Sequence, residues 1–310
     1  VSTSGEKLRI ISAQRHEAED VSWAFARCLP RPALAGDVVG YTGYAEHALR
    51  PVRRREVPSA RVPVIISFGD TIHVQMSGYV GPADANAAQV SRDGRTAQAT
   101  APGLDAGPSV APLRLTSFVA GFGEAHAITE YTGAQRGIQI DLTPLGAYRL
   151  LGLTGDEIRT GVLQLDDVLG SDGPRLVDRL VSAPDWPARF DLVDGFLLGR
   201  SELARVPDPA IAWCWDRMRR TDGRVSVGEL VEAVGWSRKH LGERFRRHVG
   251  LGPKPAARVL RFARAVSLLD GSHSISEVAA ECGYADHSHL VRDVQALAGC
   301  TPSELIAERS

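Results

Sequence analysis

Residues 226–250 read SVGELVEAVGWSRKHLGERFRRHVG, and residues 274–299 read SISEVAAECGYADHSHLVRDVQALAG. In the first stretch Ser226 can cap a short helix whose apolar face is Leu230, Val231 and Val234. Gly235 then permits a tight turn, and Ser237 can cap a second helix in which Leu241 and Phe245, four apart, face inward. The second stretch repeats the pattern. Val278, Ala279 and Cys282 pack, Gly283 turns, and Asp286 caps a helix with Leu290, Val294 and Leu297 inward. Ser237 and Asp286 stand 49 positions apart, and PAARVLRFARAVSLLD (255–270) reads as a joining helix about 24 Å long. Two helix-turn-helix motifs on such a strut could reach successive major-groove faces, roughly 34 Å apart along DNA.

Charge agrees with that pattern locally and hides it globally. The formal net charge is -1, which by itself points to no polyanion. Yet residues 236–264 hold nine basic side chains (Arg238, Lys239, Arg244, Arg246, Arg247, Lys254, Arg258, Arg261 and Arg264) against one acid, Glu243. On charge alone a solvated helix face accounts for this as well as a phosphate footprint does; the motif context favours the footprint. Arg238, Lys239, Gly242 and Arg246 fall on the outer face of the first recognition helix. His287, Ser288, His289 and Arg292 lie near the exposed start of the second, and Arg258 on the connector is a further DNA-binding candidate.

The 310 residues favour two domains of ordinary size. Hydrophobic residues are 44% and charged residues 24%, a globular balance, and no apolar run is long enough to span a bilayer. VSTSGEKLRI at the start lacks the basic-then-apolar pattern of a signal peptide, and four scattered cysteines form no CxxC pair; the expectation is a cytoplasmic protein with reduced thiols. From 1 to about 142 the texture is β, in short β-branched runs such as 61–68, 71–76, 113–122, 126–131 and 137–142. Residues 81–112, rich in Ala, Gly and Pro, read as a long loop, either a lid or a tolerated insertion. From Thr143-Pro144 the period turns helical, with helices expected near 164–169, 173–183 and 187–204 that pack on the β part or pair two subunits. RVPDPAIAW (205–213) marks the boundary between a 1–205 domain and an all-helical 206–310 domain. The fold class is therefore α+β.

Residues 206–310 resemble the DNA-binding domain of the AraC/XylS family of transcription regulators. The resemblance rests on Ser237, Leu241 and Phe245, and on Ala279, Gly283, Tyr284, Asp286, Ser288, His289, Arg292, Gly299, Thr301 and Pro302; Leu290 and Val294 replace the family's usual Phe. It implies that the outward residues of both recognition helices read bases. At two such positions stand Gly242, which reads nothing, and Glu243, for which an ion pair with Arg247 is favoured over a cytosine contact. FVAGF, GIQIDLTPLGAYRLLG and QLDDVLG are similar to the sensor part of such regulators, which implies a cupin-like β fold with helices that pair subunits. The implied partners are double-stranded DNA, a second copy of the chain, RNA polymerase and a small-molecule effector, with no membrane.

Catalytic patterns are missing. There is no G-x-S-x-G, Walker loop or H-E-x-x-H. His287 and His289 point about 200° apart on a helix and cannot chelate one ion, while His47, His73 and His126 are scattered in the β region. GFGEAH (121–126) follows no βαβ pattern and reads as a turn, and Cys282 sits on a packing face, leaving Cys28 as the redox candidate. No enzyme, cofactor or metal is expected. Tyr41, Tyr44, His47, Phe68, Phe118, Phe122, His126 and Tyr131 combine aromatic surface with polar tips and are the effector-pocket candidates; an ordinary aromatic core is the competing reading. Two other functions stay open: a constitutive DNA binder whose first domain only dimerises or binds a protein, and a metal or thiol enzyme with a DNA-binding tail.

Overall fold

A computed structural model describes residues 10–18, 20–77, 112–159 and 161–309; all but the last residue of the 81–112 loop lies outside them. The first half is one antiparallel sheet. Its strands are β1 (Ile10–Glu17), β2 (Val21–Cys28), β3 (Val38–Glu56), β4 (Val62–Ser67), β5 (Ile72–Met76), β6 (Leu113–Leu115), β7 (Phe118–Ala120), β8 (Ala127–Leu142) and β9 (Val162–Gln164). They run in the order β1-β2-β3-β8-β4-β7-β9, with β5 on β8 and β6 on β5. The runs at 126–131 and 137–142 are a single strand, β8, continuous through TGAQR because Gly133 takes φ 89° and Asp70 receives the Ala134 N–H at 2.8 Å. The run at 113–122 instead splits at Ser117, whose hydroxyl accepts the Ser67 N–H at 2.9 Å.

Strand β3 is not apparent as a strand in the sequence, because RPVRRRE (50–56) has no apolar alternation. It pairs with β8 along nearly its whole length and slips register between Ala48 and Val52. Arg54 then donates to Glu46, eight residues earlier, at 3.0 and 2.7 Å. A straight strand would separate these two by about 26 Å, so β3 coils back sharply at the bulge.

One face of the sheet carries Ala26, Cys28, Tyr41, Val64, Ile66, Ile138 and Ile140. Against it pack α4 (Asp172–Ser182) and α5 (Trp186–Glu202), reached through α1 (Pro144–Gly146), α2 (Gly155–Arg159) and α3 (Leu165–Leu169). Thr143 caps α1 as its sequence predicts, accepting the Gly146 N–H at 2.9 Å. The Trp186 ring fills the space left by Gly43, and Tyr41 donates at 2.7 Å to Asp194, a carboxylate with 0% exposure.

The remaining helices are α6 (Pro209–Arg220), α7 (Val227–Val234), α8 (Arg238–Val249), α9 (Pro253–Leu268), α10 (Ile275–Glu281), α11 (His287–Ala298) and α12 (Pro302–Ala307). The apolar core does not break at 205. One buried cluster runs from Ala26 through Phe122, Phe190, Ile211, Trp215, Leu241 and Phe245 to Leu260, halfway along α9. A second begins at Phe262 and holds Val278, Leu290, Val294 and Leu297. The first helix-turn-helix thus shares its core with the sheet and its helices, and the second has its own.

Asp208 caps α6 and receives Arg244 of α8 at 2.6 Å, which holds its carboxyl below the usual carboxylate range. A depressed folded value stabilises the protein above the unfolded value, and the contribution is lost as pH falls through the folded one. The Asp208→Asn variant should accordingly show a flatter acid limb in a plot of melting temperature against pH below about pH 5. An acid limb identical to that of the parent would contradict the assignment.

Candidate nucleic-acid interface

Both motifs are built from local signals. Ser226 and Glu229 form a reciprocal capping box at α7, Gly235 closes that helix at φ 69°, and Ser237 accepts the His240 N–H at 3.2 Å to start α8. Ser274 and Glu277 form the same box at α10, Gly283 turns at φ 73°, and Asp286 accepts the His289 N–H at 2.7 Å to start α11. Leu241, Phe245, Leu290, Val294 and Leu297 are fully buried, as their spacing requires. Strut α9 has 16 residues, the expected length.

The structure sorts the basic side chains. Arg238, Lys239, Arg246 and Arg247 are exposed on α8, while Gly242 is half-buried between them. His287, Ser288 and Arg292 are exposed on α11, where Arg292 Nε donates back to Ser288 O at 3.2 Å. His289 is turned away, its ring edge-on to Tyr284 at 5.1 Å. Arg244 is held by Asp208, and Arg264 by Glu281 at 2.5 Å. Arg258 departs most from the sequence reading: its guanidinium meets Asp293 at 2.8 Å and Glu124 at 3.1 Å, because a buried carboxylate on α11 needs a cation. The ion pair favoured between Glu243 and Arg247 is not formed; among the described residues no salt bridge joins them. What stays outward is a set of cations at the start and outer flank of α8, and Arg292 on α11.

The family model described as a helix-turn-helix domain matches residues 230–308. The C-terminal region is an AraC-type helix-turn-helix domain. The match is confined to that region. No curated protein matches it. Among solved structures the chain is similar to the C-terminal domain of AraT, a response regulator from Geobacillus stearothermophilus (15% identity, 33% of this chain, 88% of that one, TM-score 0.31). It is also similar to ToxT from Vibrio cholerae (9%, 94% and 99%, TM-score 0.45) and to the xylose-binding transcription activator XylR (24%, 44% and 38%, TM-score 0.30).

Within the AraC-type domain, Arg292 is the cation on the outer face of α11. Replacing Arg292 by Ala should cost about 1–3 kcal/mol at one base position and relax discrimination there. Unchanged binding to every single-base variant of an operator would remove Arg292 from the reading set.

The effector candidates in the other half do not converge. Tyr41 and Phe122 belong to the apolar core, Phe122 lying edge-on to Trp215 at 5.7 Å. Phe118 sits in a separate small cluster with Val74 and Leu115. The Arg136 and Arg189 guanidiniums both lie over the Phe68 ring, His47 is exposed, and the His126 ring packs on Gly299 of the AraC-type domain. Among the described residues no three His, Cys, Asp or Glu side chains gather into a possible metal set. All four cysteines are buried; the Cys214 thiol is pushed up to about 11 by burial, and Cys28 donates to Leu29 O at 3.3 Å.

Only Tyr44 and Tyr131 turn to a common place, the sheet face opposite the helices. Directly paired residues share a face, so Trp23, Glu46 and Gln135 lie together, as do Phe25, Tyr44 and Ser67. Tyr131 donates to Glu46, Arg54 clamps the same carboxylate, and Glu46, Ser67, Thr129, Gln135 and Tyr131 are all buried. Burial raises the Tyr44 and Tyr131 hydroxyls above the usual tyrosine value, keeping both as neutral donors. Trp23, Phe25, Glu46 and Arg54 escaped the sequence reading. Their shared face depends on the pairing of β2, β3 and β8, which no local pattern announces.

Proposed function

We propose that the chain reads DNA with the outward starts of α8 and α11 in successive major grooves, using Arg238, Lys239, Arg246, His287, Ser288 and Arg292, with α9 setting the spacing. The observation that carries this is the charge sorting. Carboxylates take Arg244, Arg258 and Arg264, and the cations of the α8 face keep no ion pair among the described residues. In this reading residues 206–310 are the DNA-binding domain and 1–205 the sensor and dimerisation domain. The protein works in the cytoplasm as a homodimer that acts through RNA polymerase. Among the described residues no helix is long and apolar enough to cross a membrane. Affinity enrichment of host genomic fragments on the full-length protein at two salt concentrations tests it. A shared motif with two contact clusters about one turn apart is the expected result. Binding without a motif, vanishing steeply with salt, would reduce the interaction to phosphate attraction.

A second reading concerns the first half. The buried polar set of Glu46, Ser67, Thr129, Gln135 and Tyr131, with Tyr44 and the partly exposed Arg54 at its edge, supports a small-molecule site inside the sheet rather than a purely structural domain, since an apolar interior would hold the sheet at less cost in desolvation. A metabolite at 100 times its dissociation constant would add about 2.7 kcal/mol of stability. A metabolite panel that leaves the melting temperature unmoved would favour the constitutive binder.

A further inference from the structure

The far ends of β3 and β8 touch both halves of the molecule. Neighbouring residues on a strand point to opposite faces, and at Arg54 and Arg55 this alternation has consequences. Arg54 points to the face of Glu46 and grips that carboxylate, which also receives the Tyr131 hydroxyl. Arg55 points to the opposite face, against the C-terminal helices. Its Nε and Nη2 donate to the two oxygens of Glu308 at 2.8 and 3.1 Å, and its Nη1 donates to the carbonyl of Ala298, the last residue of α11, at 2.8 Å. Two more contacts lie beside it: the His126 ring against Gly299, and Glu124 on Arg258, which in turn holds Asp293 of α11. The second helix-turn-helix has its own apolar core, with only Val57 of the strand region packed on it, so these polar contacts are its main tie to the sheet. The first helix-turn-helix, sharing the sheet's core, is tied by burial instead.

We propose that the Arg54-Arg55 pair of β3 is a two-sided relay, which couples the buried Glu46–Tyr131 cluster inside the sheet to the position of the second recognition helix, α11. A change that moves Arg54, such as a ligand competing for Glu46 or for the Tyr131 hydroxyl, displaces the backbone that anchors Arg55. The clamp on the C-terminal end of α11 then loosens, and the second unit moves about α9, whose core changes between Leu260 and Phe262. Because the first unit stays fixed in the shared core, the relay alters the relation between the two reading helices rather than their presence. This deepens the regulator reading above and rests on it only for the DNA consequence.

The test is amide hydrogen exchange on the full-length protein without DNA, reading residues 287–308, in a double-mutant cycle of Tyr131→Phe and Arg55→Gln. Arg55→Gln should speed exchange near the end of α11 roughly five- to tenfold, since it removes charge-assisted bonds. Tyr131→Phe keeps the ring and loses one bond to Glu46; it should speed the same amides by about threefold, and add nothing once Arg55 is Gln. Arg54→Gln repeats the inner perturbation by a second route. The relay is wrong if Tyr131→Phe leaves 287–308 unchanged, or if its effect is the same size in the Arg55→Gln background. Affinity for enriched DNA fragments, measured in parallel, separates the two ideas: a working relay in a protein that selects no DNA would sink the DNA reading and spare the coupling.

Discussion

Replacing Phe245 by Ala should destabilise the protein by about 3–5 kcal/mol, and the loss should reach the sheet as well as the helix-turn-helix that carries the residue. Phe245 has 0% exposure on α8, and its ring meets Trp215 of α6 at 6.5 Å. Trp215 in turn lies edge-on to Phe122, which follows β7 in the sheet. These three rings run from the strand region to a recognition helix inside one continuous cluster, so a cavity at Phe245 removes contacts on both sides of residue 205. Leu297→Ala is the contrast. Its cost, about 2–5 kcal/mol, falls in the second cluster and should be felt mainly by α10 to α12. Hydrogen exchange resolved by segment distinguishes the two. With Phe245→Ala, protection in β3, β8 and α8 should fall together; loss confined to residues 206–310 would mean that the first helix-turn-helix is an independent unit after all.

The other large effect concerns salt. Changing Arg238, Lys239, Arg246 and Arg247 together to Gln should weaken DNA binding by about 10³-fold near 0.1 M salt and lower the slope of log affinity against log salt by roughly 3.6, if each neutralises one phosphate. All four are exposed on α8 and keep no ion pair among the described residues. The matched control is Arg264→Gln. Arg264 lies in the same basic stretch, but its charge is already met by Glu281, so the slope should move far less. A slope equally changed by Arg264→Gln would mean that the carboxylate partners release their cations on DNA and that the sorting seen here does not predict the footprint.

Much of the C-terminal half was legible because its signals are local. A cap such as Ser226, Ser237, Ser274 or Asp286 acts three residues ahead, and the inward set of Leu241, Phe245, Leu290, Val294 and Leu297 follows from 3.6 residues per turn. The sheet was legible only in part. Apolar strands β4, β5 and β8 announce themselves, whereas β3 carries RPVRRRE and is held as a strand by its pairing with β8. GFGEAH reads as a turn but forms an irregular loop with a bend at Glu124, and Glu124 and His126 within it reach Arg258 and Gly299, more than 130 residues along the chain. The effector candidates fared worst. Aromatic type does not say to which face of a sheet a residue belongs, and a one-residue change of register reverses the answer.

The sequence by itself determined the two helix-turn-helix motifs, their caps, the strut between them and the concentration of positive charge around the first. Each depends on residues within about one or two helical turns of one another. Only the tertiary structure decided which cations remain for a polyanion, that the first motif shares the sheet's core while the second is held by ion pairs, and which polar groups meet inside the sheet. Those outcomes depend on partners such as Asp208, Asp293, Glu124 and Glu308. A side chain's charge is local, but whether it is neutralised depends on what folding brings within about 4 Å of it.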